Sequence, residues 1–184
     1  MPAGTAPRPR PTLARAIYRA GQFFRGFVTA VDPDDARTVA ALLSPEELQL
    51  FLAQRPRDRQ HAILTMRHLE RIATAEGATT SEELRTAALL HDIGKGPLHV
   101  GDRILYVFLQ AISPTLVDRF ADEHASPSRR ALWRLRHHAT LGGAQLTAAG
   151  SAPRVVELTA THHLPASAED DRELAWLLAA DGAA

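Results

Sequence analysis

Histidine and aspartate residues lie on the apolar faces of five helical segments of this sequence. His91 follows Leu84 by seven residues and Ala88 by three, and Asp181 follows Leu174 by seven, so each shares a face with apolar neighbours. The same placement holds for His61, His138 and His162. A buried histidine or aspartate must be ion-paired, hydrogen-bonded or metal-bound, because burying it bare costs several kcal/mol. The pattern therefore predicts that these helices share a polar site.

Helix start signals divide most of the chain, and they predict an all-α fold formed by a multi-helix bundle in a single domain. No segment shows the alternation of a strand, a glycine-rich phosphate loop or an internal repeat. The predicted helix starts are Asp32-Pro33, Ser44-Pro45 with Glu47, Arg57 (a helix to about Gly77), Thr80 with Glu83, Ser126-Pro127, Ser151 to Pro153, and Asp170-Asp171.

Composition excludes several classes of protein. The 184 residues carry 21 basic and 21 acidic side chains, so the net charge gives no reason to expect nucleic acid as the main partner. The absence of cysteine excludes disulfides, thiolate metal sites and a cysteine nucleophile. No apolar run reaches the length of a transmembrane segment, and the N-terminus lacks the apolar stretch of a secretory signal. We therefore expect a cytoplasmic protein.

The N-terminal part of the chain differs from the rest. Residues 1–11 are rich in proline and arginine and are predicted to be a disordered leader. Residues 12–55 are predicted to form helices that pack on or precede the core, and residues 56–184 form the main domain. Within residues 12–55, the segment 12–31 has the pattern of a basic amphipathic helix. We expect this helix to cap the core, and the alternative is peripheral contact with a membrane or a partner.

The order of the histidines and aspartates resembles that of the HD superfamily of metal-dependent phosphohydrolases. A histidine, a His-Asp doublet and a distal aspartate mark that family, and the doublet here stands in Leu89-Leu90-His91-Asp92-Ile93-Gly94-Lys95. The distal aspartate ends Leu178-Ala179-Ala180-Asp181, which is similar to the family's last helix. The additional His138 and His162-His163 are similar to the binuclear branch that includes the HD-GYP phosphodiesterases. The resemblance covers roughly residues 57 to 184.

The resemblance implies roles for seven residues. His61, His91, Asp92 and Asp181 would hold one metal ion, and Asp92 would bridge to a second ion held by His138, His162 and His163. The cofactor would be one or two divalent or transition ions, namely iron, manganese, cobalt, zinc or magnesium. A water that loses its proton to become the nucleophile would attack phosphorus between the ions. Asp92 and Lys95 are the residues expected to act in catalysis, Lys95 by contacting a substrate phosphate; the alternative for Lys95 is a lysine that complements a helix dipole.

Two departures from the binuclear pattern limit what is expected. The residues after His163 contain no Gly-Tyr-Pro segment, which puts cyclic di-GMP in doubt as the substrate. Arg57 stands four residues before His61, where a trinuclear site would need glutamate, so at most two metal ions are expected.

The expected function is hydrolysis of a phosphate ester of a nucleotide or another small phosphorylated molecule by a bacterial-type, metal-dependent phosphohydrolase. One alternative is a cyclic nucleotide or dinucleotide phosphodiesterase. Another is a catalytically silent HD-fold module for signalling or protein interaction. The complete ligand set favours the enzyme.

The remaining histidines have simpler interpretations. His68 could face the same pocket as His61, but we expect a partly buried, hydrogen-bonded side chain. His99 is expected on the surface, although it could touch substrate, and His124 is expected to be solvated. His137 lies among Arg129, Arg130, Arg134 and Arg136, which form either a solvated face, as we expect, or a basic rim for a phosphorylated ligand.

One further segment stays open. Residues 101–116 are apolar around most of a helical circumference. They can form a buried helix, a dimer contact or a lid over the metals.

Overall fold

The computed structural model describes residues 32–164 and 171–184, and these contain helices and no strand. The prediction of an all-α fold in a single domain is confirmed. The helices are α1 (Pro33–Leu42), α2 (Pro45–Ala53), α3 (Pro56–Ala75), α4 (Glu82–Leu90), a 3₁₀ turn (Ile93–Lys95), α5 (Val100–Ile112), α6 (Pro114–Phe120), α7 (Pro127–Ala148), α8 (Pro153–Thr161) and α9 (Arg172–Ala183). The predicted leader (1–11) and the predicted basic helix (12–31) lie outside the described residues.

Side-chain caps begin several of these helices, as the sequence predicts. Ser44 and Glu47 form the reciprocal capping box of α2, since each side chain bonds to the backbone N–H of the other residue. The predicted cap of α4 is corrected by one residue, because Ser81 rather than Thr80 accepts the backbone N–H of Leu84. Such a cap satisfies a donor that the helix leaves unpaired.

The core lies where α3, α4, α8 and α9 meet. Helix α4 packs against both α3 and α8, α9 packs on α3, and α7 packs on α8 and on the 3₁₀ turn. Leucine and isoleucine side chains fill this region, and each contributes about 1.5–3 kcal/mol when fully buried. Examples that are fully buried are Ile63, Leu69, Leu84, Leu89, Leu158, Leu174 and Leu177. The four helices that carry most of the predicted polar site are therefore held by one apolar core, which also contains Val39 of α1 and Phe51 of α2.

The 3₁₀ turn approaches α7 closely because residue 94 is glycine. A Cβ atom on Gly94 would lie 2.0 Å from the backbone oxygen of His138 and 2.6 Å from the backbone nitrogen of Gly142. Backbone atoms cannot move aside as a flexible side chain can. The absence of a side chain therefore lets the His91-Asp92 doublet lie directly against His138.

Helix α5 differs from the interpretation of residues 101–116 as one buried helix. The segment forms two helices separated at Ser113, and no residue of α5 is buried. Phe108 is 60% exposed and Ile112 is 59% exposed, so the buried alternative is wrong. Arg103 ties α5 to α3 through a 2.7 Å ion pair with Asp58.

The helices of residues 32–164 and 171–184 are all too short or too polar to cross a lipid bilayer.

Candidate metal centre

The fold brings all seven predicted metal-site residues together from five parts of the chain. His61 projects from α3, and Asp181 from α9. The other five follow or belong to α4, α7 and α8, namely His91, Asp92, His138, His162 and His163. Two groups have potential ligand atoms that lie within 4.8 Å of one another, one formed by His61, His91 and Asp92 and the other by His138, His162 and His163.

The carboxylate of Asp92 lies between the two groups. Its Oδ2 is 3.6 Å from Nε2 of His91 and 3.9 Å from Nε2 of His61. Its Oδ1 is 3.3 Å from Nε2 of His138 and 4.0 Å from Nε2 of His162. Each oxygen therefore faces a different set of imidazoles, which is the arrangement of a carboxylate that can bridge two ions.

Asp181 completes the first group. Its Oδ1 lies 2.9 Å from Nε2 of His61 and 3.3 Å from Nε2 of His91. The second group closes through a 2.8 Å contact between Nε2 of His163 and Nε2 of His138. Two imidazole nitrogens and two carboxylates can thus surround one position, and three imidazoles with a shared carboxylate can surround the other.

Three of the histidines are oriented by the same local hydrogen bond. The Nδ1 atoms of His91, His138 and His162 lie 2.9, 2.8 and 2.6 Å from the carbonyl oxygens of Ala88, Leu135 and Thr159. A carbonyl oxygen can only accept, so each Nδ1 donates and the lone pair of a neutral ring is on Nε2. Metal-binding histidines in proteins are held in this way.

The buried nitrogen atoms fit a metal ion better than they fit the protein alone. Nε2 of His91 and Nε2 of His162 are both buried, and neither makes a hydrogen bond with good geometry to any described residue. A buried polar atom without a partner requires an explanation, and a ligand is one. Imidazole and carboxylate together form a donor set suited to iron, manganese, cobalt or zinc. The residues therefore fit the group that the sequence implies.

Electrostatics keep the carboxylates ionised. Burial alone would raise the pKa of Asp92, but the charges of Lys95 and His91 outweigh it and place that pKa well below its usual range. Burial acts in the same direction on Asp181, but the hydrogen bond from His61 and the nearby ring of His91 lower its pKa far below the ordinary value. Both side chains are thus acceptors at neutral pH.

The pKa of His91 is shifted in the opposite direction from the pKa values of His162 and His163 because their charged neighbours differ. Burial and the neighbouring histidines lower the pKa of His162 to about 3 and that of His163 to about 4, so both rings are neutral at pH 7. Burial also opposes the charge of His91, but Asp92 and Asp181 outweigh it and raise the pKa to about 9.

The ammonium group of Lys95 contacts Oδ2 of Asp92. Lys95 ends the 3₁₀ turn, and its side chain is 21% exposed. The alternative in which Lys95 mainly complements a helix dipole does not describe this contact. The position suits a side chain that holds an anionic group next to the centre.

Most of the other histidines lie where the sequence predicts. His68 is partly buried near the backbone of Ala180, next to Asp181, and does not join either group of ligand atoms. His99 is exposed at the start of α5. His137 is exposed and lies against Trp133, with ring centroids 4.9 Å apart. His124 is exposed but lines a cleft, which the sequence does not indicate.

Sequence reasoning missed the three carbonyl groups that orient the imidazoles. Each belongs to the residue three positions before its histidine, within one turn of helix. This spacing is a signal that could have identified them.

The fold and the site define an all-α domain with a candidate metal centre formed by histidines and aspartates. The sequence model of the HD domain family matches residues 59–181, two thirds of the chain. The chain belongs to the HD domain family. Comparison with curated proteins and with solved structures gives no match.

Proposed function

We propose that this protein is a metal-dependent phosphohydrolase that cleaves a phosphate ester of a nucleotide or another small phosphorylated molecule. The observation that carries the proposal is the position of Asp92, whose two oxygens face two separate groups of imidazoles. Membership of the HD domain family supports the same reaction class. Residues 56–184 would form the catalytic domain, and residues 12–55 would pack on it.

The proposal assigns two metal positions. His61, His91, Asp92 and Asp181 would hold one ion, and His138, His162 and His163 would hold a second ion that Asp92 shares. Such ions would supply Lewis acidity and lower the pKa of a bound water. At pH 7 the protein supplies ionised carboxylates at Asp92 and Asp181 and neutral imidazoles at His162 and His163, in agreement with the directions of their pKa shifts.

Lys95 would bind and orient the substrate. Its ammonium contacts Oδ2 of Asp92, the oxygen that also faces the first metal position. With Asp92 engaged as a metal ligand, the ammonium of Lys95 would be free to contact an anionic group of the substrate. A phosphate oxygen held by a point charge would neutralise part of the charge that develops in the reaction.

The experiment is a hydrolysis assay on the full chain. Protein reconstituted with Mn²⁺, Fe²⁺, Co²⁺ or Zn²⁺ is incubated with p-nitrophenyl phosphate, bis(p-nitrophenyl) phosphate and the nucleoside monophosphates. We expect metal-dependent turnover that falls by about 100-fold or more in Asp92→Asn. Asp118→Asn, which removes a carboxylate that pairs with Arg136, is the matched control and is expected to keep the activity.

Absence of turnover with every metal and every ester would contradict the proposed enzymatic function and favour the alternative of a catalytically silent HD-fold module. Activity that is the same in Asp92→Asn and the parent chain would contradict the assigned centre. Turnover confined to the diester would identify the phosphodiesterase alternative instead.

A further inference from the structure

A cleft of about 450 Å³ lies beside the 3₁₀ turn, outside the two groups of metal-site residues. None of the seven predicted ligands lines it. Its walls come from α7, from the segment between α6 and α7, and from the turn itself. The residues that matter for its chemistry are Arg130, Trp133, Arg134, Glu123, His124 and Gly94.

Two arginines near the start of α7 already have carboxylate partners. Arg129 pairs with Asp122 at 3.5 Å and donates to the backbone oxygen of Phe120. Arg136 pairs with Asp118 at 2.9 Å. These two guanidinium groups belong to the surface ion pairs that connect α7 with α6 and the segment after it.

The other two arginines of this stretch face the cleft. Arg130 makes one hydrogen bond, to the backbone oxygen of Ala125 at 3.3 Å. Within residues 32–164 and 171–184, neither Arg130 nor Arg134 has a carboxylate within ion-pair distance. The expectation of one solvated arginine face therefore holds for only part of the stretch, because the structure separates the four arginines into a paired set and a cleft set.

Arg134 has the stronger reason to be a binding group. Its side chain is half-buried, and a Cβ atom on Gly96 would lie 2.3 Å from its Nη1 atom. The guanidinium group is thus packed against the backbone of the residue after Lys95. A charged group that is partly removed from water without a counter-ion is unfavourable unless a ligand supplies the opposite charge. A guanidinium group also presents paired donors that match phosphate oxygens.

Trp133, which lies between Arg130 and Arg134 in the sequence, gives the cleft an aromatic wall. The side chain is half-buried, so part of its indole ring stays accessible. Aromatic rings of this kind stack on nucleobases without strict dependence on the base. The volume of the cleft also lies in the range of small-molecule sites, roughly 300–1,000 Å³.

Glu123 is the only acidic side chain among the lining residues. One carboxylate against two guanidinium groups leaves the cleft with a net positive charge, and a carboxylate can accept hydrogen bonds from sugar hydroxyls. An anion, an aromatic ring and hydroxyl groups are together the chemistry of a nucleotide.

We propose that this cleft binds a phosphorylated nucleoside, with phosphate on Arg134 and Arg130 and the base against Trp133. Gly94 lines the cleft, Gly96 contacts Arg134, and Lys95 between them contacts Asp92. The cleft and the metal centre therefore share one turn. This inference rests on the proposed function. It assigns the cleft to the part of a nucleotide substrate that lies away from the scissile phosphate. Arg134 is then a specificity-determining residue.

The test measures binding to the full chain after treatment with a chelator, so that it does not depend on hydrolysis. Isothermal titration calorimetry is performed with ADP, GDP, CDP and UDP, and with pyrophosphate and adenosine as the two partial ligands. We expect at least one nucleoside diphosphate to bind about tenfold more tightly than pyrophosphate or adenosine, because only the whole ligand engages both the arginines and the indole ring.

Variants separate the cleft from general charge effects. Arg134→Gln is expected to raise the Kd about tenfold or more, and Trp133→Leu about fivefold or more. Arg134→Lys keeps the charge without the paired donors, so its Kd is expected to lie between those of Arg134→Gln and the parent chain. Arg136→Gln is the matched control on the same helix, and its Kd is expected to stay within about twofold of the parent value. Circular dichroism of each variant establishes that it is folded.

Failure of all four diphosphates to bind would overturn the proposal. Equal affinity in Arg134→Gln and the parent chain would also overturn it, as would equal affinity for pyrophosphate and the diphosphates. Binding that depends on Arg134 in a chain without hydrolase activity would contradict the proposed function alone. Hydrolysis without such binding would contradict only the proposal that the cleft binds a nucleotide.

Discussion

Oδ1 of Asp92 lies 3.3 Å from Nε2 of His138, while the other oxygen of the same carboxylate faces His91. The carboxylate follows α4, and His138 belongs to α7, so this contact joins the two groups of potential ligands. Loss of Asp92 is therefore expected to affect both metal positions. Loss of His138 is expected to affect one.

Replacement of His138 by alanine tests this division. His138→Ala removes an imidazole from the second group and leaves His61, His91, Asp92 and Asp181 in place. We expect the metal content to fall from about two ions per chain to about one, measured by elemental analysis after reconstitution. His137→Ala is the matched control, since His137 is exposed on α7 and is expected to leave both ions bound. Loss of both ions in His138→Ala would contradict separate positions.

Gly94→Ala tests the close approach of the 3₁₀ turn to α7. The added methyl group would collide with the backbone of His138 and Gly142, so the turn must move. Overpacking of this kind typically costs about 1–3 kcal/mol, and we expect a loss of this size in the free energy of unfolding, measured by urea denaturation. Gly182→Ala meets no atom within 4 Å and is the matched control. Equal stability of the two variants would contradict the packing role of Gly94.

Removal of metal is expected to destabilise the fold. The proposed ligands come from α3, α7 and α9 and from the residues after α4 and α8, so an ion binds the folded chain and not the unfolded one. At a free metal concentration of 100 times the Kd, the stabilisation is about 2.7 kcal/mol, which corresponds to a Tm rise of about 5–11 °C for a chain of this size. Thermal melts of chelated and reconstituted protein measure it. A Tm that does not change with metal would contradict the prediction.

Acid stability should depend on the ion pairs of Arg154. Arg154 donates to Asp171 at 2.7 Å and also contacts Glu157 and Glu173. The hydrogen bond from Arg154 lowers the pKa of Asp171 below its ordinary value. The stabilisation is therefore fully present above the unfolded-state pKa of about 3.9 and is lost as the pH falls through the lower folded-state pKa.

Arg154→Gln is expected to reduce the free energy of unfolding by about 0.2–1 kcal/mol at pH 7, because the pairs are near the surface. The difference from the parent chain should shrink below about pH 4 as the carboxylates become protonated. Urea denaturation at pH 7 and pH 3 measures it. Arg37→Gln disrupts a pair in which both side chains are more than three-quarters exposed, and it serves as the control. A deficit of equal size at both pH values would contradict this account.

The helices and the burial of His91 could be predicted because their signals are local, whereas the set of seven metal-site residues was implied by the family resemblance. Apolar spacing placed His91 on the core side of its helix, and it is buried. The capping box at Ser44 and Glu47 requires only residues three apart. These features depend on the geometry of a single helix, which repeats every 3.6 residues.

The cleft and α5 could not be predicted because they depend on contacts between distant segments. Arg134 and Arg136 have similar sequence surroundings, yet only Arg136 meets Asp118 of another helix. The apolar residues of α5 favour burial, but Phe108 remains exposed because no described helix covers it. Periodicity identifies a face and leaves its partner undetermined.

The central claim is that Asp92 joins two metal positions, and its most direct test is the metal content of the full chain. Protein purified without chelators is examined by elemental analysis beside Asp92→Ala and the control Asp118→Ala. The account predicts about two transition-metal ions per chain in the parent and the control, and loss of both in Asp92→Ala. Absence of metal in the parent chain, both as purified and after reconstitution, would contradict it.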